Sequence, residues 1–296
     1  MSATVKDMED TDIRKRCSPG KKGHDHVVEA SQRVGEWWMK TRQTKLIGRN
    51  KETINVNPFL LPMVMAYHGL DSVEDLGELL LGSHLVGGHF TGFGKMIDEK
   101  LLPHVFGTQK FDAKYRNSTP PYSHSAFNDI DHSVYRDGYT DLLSLKASPW
   151  TINLGGAKDL NASFAQINEY YMEPNPGVYG EVAVGVLYGQ EQDLTDKYTI
   201  LRGADPAKNA KHHLRNVSKA VHVYAGREFW SWLNFGEHDT QDWVLEGLIQ
   251  AAEQVTDKDK QQAHIHKLIR ESKAFEGLAL SDGSPDWQAV LRRVNG

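Results

Sequence analysis

Cysteine is almost missing: Cys17 is the only one in 296 residues, which excludes an internal disulfide and a four-cysteine zinc site and points to a reducing cytoplasm. Long apolar runs are missing too. No stretch approaches the roughly eighteen apolar residues of a membrane helix. The N-terminus, Met1-Ser-Ala-Thr-Val-Lys, lacks the basic-then-apolar order of a secretory signal. No membrane partner is therefore expected, and the cytoplasm is the expected location. An excess of positive charge is also lacking. The net charge of −5 argues against a nonspecific DNA coat, because affinity for phosphates scales with the cations that displace counterions; a local basic groove stays open.

Familiar hydrolase signatures are absent as well: there is no Gly-x-Ser-x-Gly elbow and no His-Glu-x-x-His pair. The glycines of 87–95 resemble a phosphate loop only in composition. His89 stands where the first glycine belongs, and Met96 replaces the magnesium-binding hydroxyl. His264 and His266 are too close in sequence to share one helix face, so they form no zinc pair. Internal repeats and low-complexity segments are absent too.

What is present is an ordinary globular composition, 39% hydrophobic and 25% charged, enough for a substantial core. Residues 1–24, with Arg14-Lys-Arg-Cys-Ser-Pro-Gly-Lys-Lys22, are too charged to bury apolar area and read as a flexible arm. Residues 25–296 then form one domain, with its catalytic core at about 85–205 and a helical part at about 228–296. Val27, Val28, Ala30, Val34, Trp37 and Trp38 recur at helical spacing over 25–46. A short helix is expected over 72–82, another from Lys95 that stops at Pro103, a loop over 110–125, and a charged helix near 257–273.

The most informative stretch runs from Asn128 to Lys146. It reads as a hairpin turning at Arg136-Asp137-Gly138, with an acid, Asp131, on one strand and Ser144 and Lys146 sharing a face of the other. Leu142-Leu143-Ser144-Leu145 looks like a buried central strand, so its polar atoms sit where a core would want leucine. Asp-x(n)-Ser-x-Lys also occurs by chance, and a strand lysine is usually solvated. The helix near 156–171 and the apolar run 181–187 that follow nevertheless make strand, strand, helix, strand, an α/β core. From Arg202 to Arg227 the chain is basic against an acidic background, a candidate nucleic-acid footprint or a merely solvated charge run.

Several segments carry a resemblance: Asn55-Val-Asn-Pro-Phe59, 91–103, Asp129-Ile-Asp131-His132, 142–147, 194–203, and Val221-His-Val-Tyr-Ala-Gly-Arg-Glu-Phe-Trp-Ser-Trp-Leu233. Together they resemble a family of type II restriction endonucleases that cut purine-GGNCC-pyrimidine or related GGNCC sites, over roughly residues 30 to 250. The resemblance implies a PD-(D/E)xK restriction-endonuclease-like fold, α/β or α+β, with a mixed sheet flanked by helices and with terminal helices for dimerisation. It also implies magnesium (Mg2+), double-stranded DNA as substrate and a homodimer, which a palindromic site requires on symmetry grounds as well. A cognate DNA methyltransferase is the expected companion.

Carried onto this chain, the first acid is Asp131 and the lysine is Lys146. Ser144 departs from the pattern, since it stands where a second carboxylate belongs. The missing metal ligand is sought first at Glu99 beside Asp131, then at Asp141 and Asp137. Lys146 would orient or deprotonate the attacking water and stabilise the charge on the phosphate; His132, pointing to the other strand face, is not expected to act as the base. DNA contacts are expected from Arg202, Lys211, Arg215, Thr151 and Asn153, with Ser148 and Trp150 in the same loop. A repair nuclease of the same fold and a catalytically decayed DNA-binding protein remain the alternatives.

Overall fold

A computed structural model describes residues 17–47, 59–255 and 276–295. Along the chain come α1 (His24–Ile47), α2 (Leu61–His68) and α3 (Val73–Met96), which passes into a π-helical segment, Ile97–Phe106. Next are β1 (Gln109–Lys110), α4 (Ala113–Ser118), β2 (His132–Arg136), β3 (Tyr139–Lys146), α5 (Leu154–Ile167) and β4 (Tyr179–Val186). Then follow α6 (Lys197–Arg202), β5 (Val221–Ala225), α7 (Arg227–Leu233), α8 (Thr240–Val255) and α9 (Trp287–Asn295). The chain divides into two compact units, one of residues 1–38 and 94–254 and one of 39–93 and 255–296.

The first unit holds a mixed sheet in the order β1-β2-β3-β4-β5. Its first two pairings are antiparallel and its last two parallel. The hairpin falls where the sequence puts it. Arg136 pairs with Tyr139, which leaves Asp137 and Gly138 as a two-residue link, and Gly138 at φ +100° takes a backbone angle that a side chain resists. Parallel β3 and β4 need a crossover, and α5 supplies it.

Both sheet faces are covered, so the inner strands read as nearly continuous apolar runs. Leu142, Val182 and Val184 pack with Phe127, Phe164 and Leu201 on one side. On the other, Val134, Leu143 and Ala183 meet Val27, Leu101, Leu102, Phe229 and Leu233. Within this unit α1 and α8 touch closely: a Cβ on Gly247 would lie 2.3 Å from the Val28 carbonyl oxygen, and one on Gly35 2.8 Å from the Ala251 Cβ. Part of the surface expected to form the dimer is thus spent inside the unit, while Leu245 and Ile249, one turn apart on α8, stay exposed. The second unit has its own small core of Leu61, Met65, Val73, Leu76, Leu278 and Val290.

Four segments differ from expectation. The short helix expected over 72–82 runs on through the glycines of 87–94, and the next helix does not stop at Pro103. A proline inside a helix costs about 3 kcal/mol, but Ile97, Leu101, Leu102, Val105 and Phe106 are all buried here, and burying each such side chain returns about 1.5–3 kcal/mol. The wider π turn also relieves the ring's clash with the preceding turn. Residues 110–125 are not one loop: Asp112 caps α4 by accepting the Tyr115 N–H at 2.7 Å. The described end of the arm is tied down, with Lys22 N–H donating to Asn234 Oδ1 at 2.7 Å, Asn234 Nδ2 donating back to the Lys22 carbonyl, and Lys21 paired with Glu237. The helix expected near 257–273, with His264 and His266, lies outside the described residues.

Candidate active site

The hairpin's open end gathers the polar groups. His132 pairs with Leu143 and Ser133 with Leu142. Paired residues share a face, so one step further Asp131 falls beside Ser144, on the face of Lys146. The backbone fixes this acid from both sides, because Asp131 N–H donates to the Leu143 carbonyl at 2.8 Å and its Oδ2 accepts the Leu145 N–H at 2.7 Å. Arg116 braces the approach by donating to the carbonyls of Phe111, Phe127, Asn128 and Ile130. One Asp131 oxygen stays open to chemistry, the side chain being 33% exposed.

Lys146 is half-buried, and its ammonium has no ion-pair or hydrogen-bond partner among the described residues. Ser144 is wholly buried, and its Oγ has no hydrogen-bond partner. A hydroxyl left so costs about 1–3 kcal/mol.

The second carboxylate near Asp131 is not the one expected. Glu99 is exposed, whereas Asp98, one residue earlier, turns toward the sheet. Lys110 Nζ lies 2.6 Å from both Asp98 oxygens and 3.8 Å from Asp131 Oδ1, so one ammonium bridges the two acids. His132 Nε2 meets Asp98 Oδ1 at 2.8 Å and its Nδ1 meets Thr108 Oγ1 at 2.9 Å. Burial holds the His132 imidazole below its usual range against the pull of Asp98, so the neutral ring donates from Nε2 to Asp98 and accepts at Nδ1 from Thr108. Burial alone would raise Asp98, but hydrogen bonds from His132 and Lys110 overcome it and hold the carboxyl low. Sequence reasoning missed Asp98, Lys110 and Thr108; His132, expected to point to the strand face opposite Asp131, hydrogen-bonds the acid Asp98. The alternation of His132 with Asp131 was the one signal available.

The two fallback acids sit elsewhere. Asp137 is exposed in the hairpin turn, at the far end of the strands from Asp131. Asp141 is buried, its Oδ2 taking Arg136 Nε at 2.8 Å and its Oδ1 the Glu181 N–H at 3.0 Å.

The expected DNA-contacting residues divide. Arg202 spends Nε on the Val221 carbonyl and Nη2 on that of Ser218, which ties α6 to the start of β5. Asn153 caps α5 by accepting the Gly156 N–H at 2.8 Å, and Thr151 donates to the Ser148 carbonyl at 2.8 Å, so both shape the loop after Lys146. That loop exposes Trp150. Lys211 is exposed, and Arg215 is exposed but paired with Glu169.

Among the described residues no three His, Cys, Asp or Glu side chains gather as a metal cluster. Magnesium does not need one: it favours oxygen, keeps several waters and is held by one or two carboxylates. Asp131 and Asp98, already sharing one cation in Lys110, fit that demand. The chain matches no model of a known protein family and no curated protein.

Proposed function

We propose that the protein is a magnesium-dependent type II site-specific endonuclease that cuts both strands of double-stranded DNA at a palindromic GGNCC-type site as a homodimer, on a PD-(D/E)xK core. The observation that carries it is the hairpin end: Asp131 held by the Leu145 N–H, with unpartnered Lys146 on the same strand face. The topology supports it too, since an antiparallel hairpin, a crossover helix and a parallel strand place that end at one edge of a mixed sheet.

Asp131 is the principal metal ligand, and Asp98, in place of Glu99, is the second carboxylate. When bound, magnesium neutralises charge on the scissile phosphate and makes a bound water a better nucleophile. Lys146, free of any partner, orients the attacking water and stabilises the extra negative charge on the phosphate oxygens. His132 holds Asp98 from behind. The loop 148–153 and exposed Lys211 and Arg215 face the DNA, and exposed Leu245 and Ile249 on α8 contribute to the subunit contact.

Ser144 favours one second reading, a DNA-binding protein that has lost catalysis. The test separates them: Asp131→Ala and Lys146→Ala should bind duplex DNA as the parent does in gel-shift titrations and lose at least about a hundredfold in cleavage rate with magnesium. Near-parental cutting by either variant refutes the site. A parent protein that binds and never cuts, in magnesium or manganese, establishes the decayed form.

A further inference from the structure

Between α5 and the segment that follows α6 lies a pocket of about 380 Å3 lined by Lys158, His212, His213 and Arg215, with Asn161 and Tyr170 among its walls. This is within the range of about 300–1,000 Å3 found for small-ligand sites. None of the described residues lining it is Asp or Glu, in a chain of net charge −5; the acid beside it is Glu169, which pairs with one Nη of Arg215 and which a phosphate would have to displace or share. A larger cavity, of about 1530 Å3, carries Asp141, Glu181, Glu191 and Glu228 and disfavours an anion.

The backbone that carries the basic side chains is fixed in advance of any ligand. Asn161 is 3% exposed and uses its whole amide to fix the far side: Oδ1 accepts the Arg215 N–H at 3.0 Å, and Nδ2 donates to the Arg215 carbonyl at 2.8 Å and the Leu201 carbonyl at 3.0 Å. The turn before it is equally specified, for His213 sits at φ +53°, with its N–H on the Ala210 carbonyl; a side-chain-bearing residue adopts that angle rarely, histidine more readily than most. Lys158 has no ion-pair partner among the described residues, and exposed Lys211 flanks the pocket. Burial, and after it Lys158 and Lys211 nearby, holds His212 below its usual range.

We propose that this pocket is a phosphate-binding site that grips one backbone phosphate of duplex DNA, away from the hairpin end, with Lys158 and Arg215 supplying charge and His212 and His213 supplying donors. The anion chemistry stands on the pocket itself; DNA as the source of the phosphate rests on the nuclease reading.

The test is duplex binding by fluorescence anisotropy across a sodium chloride series, for the parent and for the Lys158→Gln/Arg215→Gln double variant. Each neutralised phosphate contributes about 0.9 to the slope of log affinity against log salt. The double variant should lose about one such step, and Arg215→Lys should keep most of it. In parallel, inorganic phosphate titrated into the parent should shift the ring resonances of His212 and His213 by NMR, and should not do so in the double variant. An unchanged salt slope in a variant that still melts like the parent overturns the proposal while leaving the nuclease reading intact. Histidine shifts with phosphate together with an unchanged slope mean a free-phosphate pocket, which also overturns it. A parent protein with no affinity for duplex DNA fails both readings together.

Discussion

Asp141 is the acid whose replacement discriminates most sharply between a fold-holding and a metal-holding role. It is 3% exposed and pairs with Arg136, itself 7% exposed, at 2.8 Å. Arg136 is otherwise engaged with the Trp232 carbonyl at 2.8 Å and with the rings of Trp232 and Phe235, 4.7 and 4.4 Å from its guanidinium carbon. Asp141→Leu leaves that cation buried without its counter-charge, which costs about 3–5 kcal/mol. For a folding unit of this size that is a loss of roughly 6–20 °C in Tm, at about 2–4 °C per kcal/mol. The double change Arg136→Met/Asp141→Leu removes both charges and should recover most of the loss, because apolar replacement of a buried pair is often neutral. Urea unfolding of the parent, Asp141→Leu, Arg136→Met and the double variant, followed by tryptophan fluorescence, measures the cycle. A single-variant loss below about 1 kcal/mol, or a double variant whose losses simply add, would refute a buried pair that acts as a unit. Asp141→Asn tests the other side: full stability with a raised magnesium requirement would make Asp141 a ligand and displace Asp98.

Asp98→Asn should weaken cleavage and raise the magnesium concentration for half-maximal rate by about tenfold, as loss of a partner group at a metal site does, whereas exposed Glu99→Gln should change neither; a magnesium titration of the two variants decides, and the opposite pattern restores Glu99. Stability should fall on acidification: His132 is held low in the folded protein, so below its ordinary pKa near 6.5 the unfolded chain takes up a proton that the folded one refuses. As pH falls below about 6.5 the parent should lose up to about 1.4 kcal/mol per pH unit more than His132→Gln, and parallel pH profiles would count against it. Asp98 adds to this at lower pH, since its carboxyl lies below 3.8 when folded and its stabilisation is fully present above that value and lost as pH falls through the lower folded pKa.

The parts legible in sequence are those set by short-range rules. Asp137-Gly138 with apolar alternation on either side gives the hairpin, and the burial of Leu142, Leu143 and Ser144 follows from an apolar run bounded by turns. Asp98 was not legible because the choice between residues 98 and 99 depends on helix phase, and the π-helical segment Ile97–Phe106 breaks the 3.6-residue period on which a face is counted. Lys110 sits on a strand of two residues, too short for any pattern. Arg202 looked like a DNA contact because it opens a basic run; its partners are carbonyls 16 and 19 residues away, which no local rule reveals. β5 went unread as a strand for a related reason, its Val221-His-Val-Tyr-Ala225 alternation being shadowed by the basic segment before it.

The central claim, that the hairpin end is a site-specific DNA-cutting centre, is tested most directly by digesting a plasmid of known sequence with the full-length protein and magnesium and mapping the fragment ends. The expected result is a fixed set of bands whose ends fall at GGNCC-type sites, lost with chelator and lost in Lys146→Ala. A smear without fixed ends, cutting that survives in Lys146→Ala, or no cutting in magnesium or manganese would contradict it.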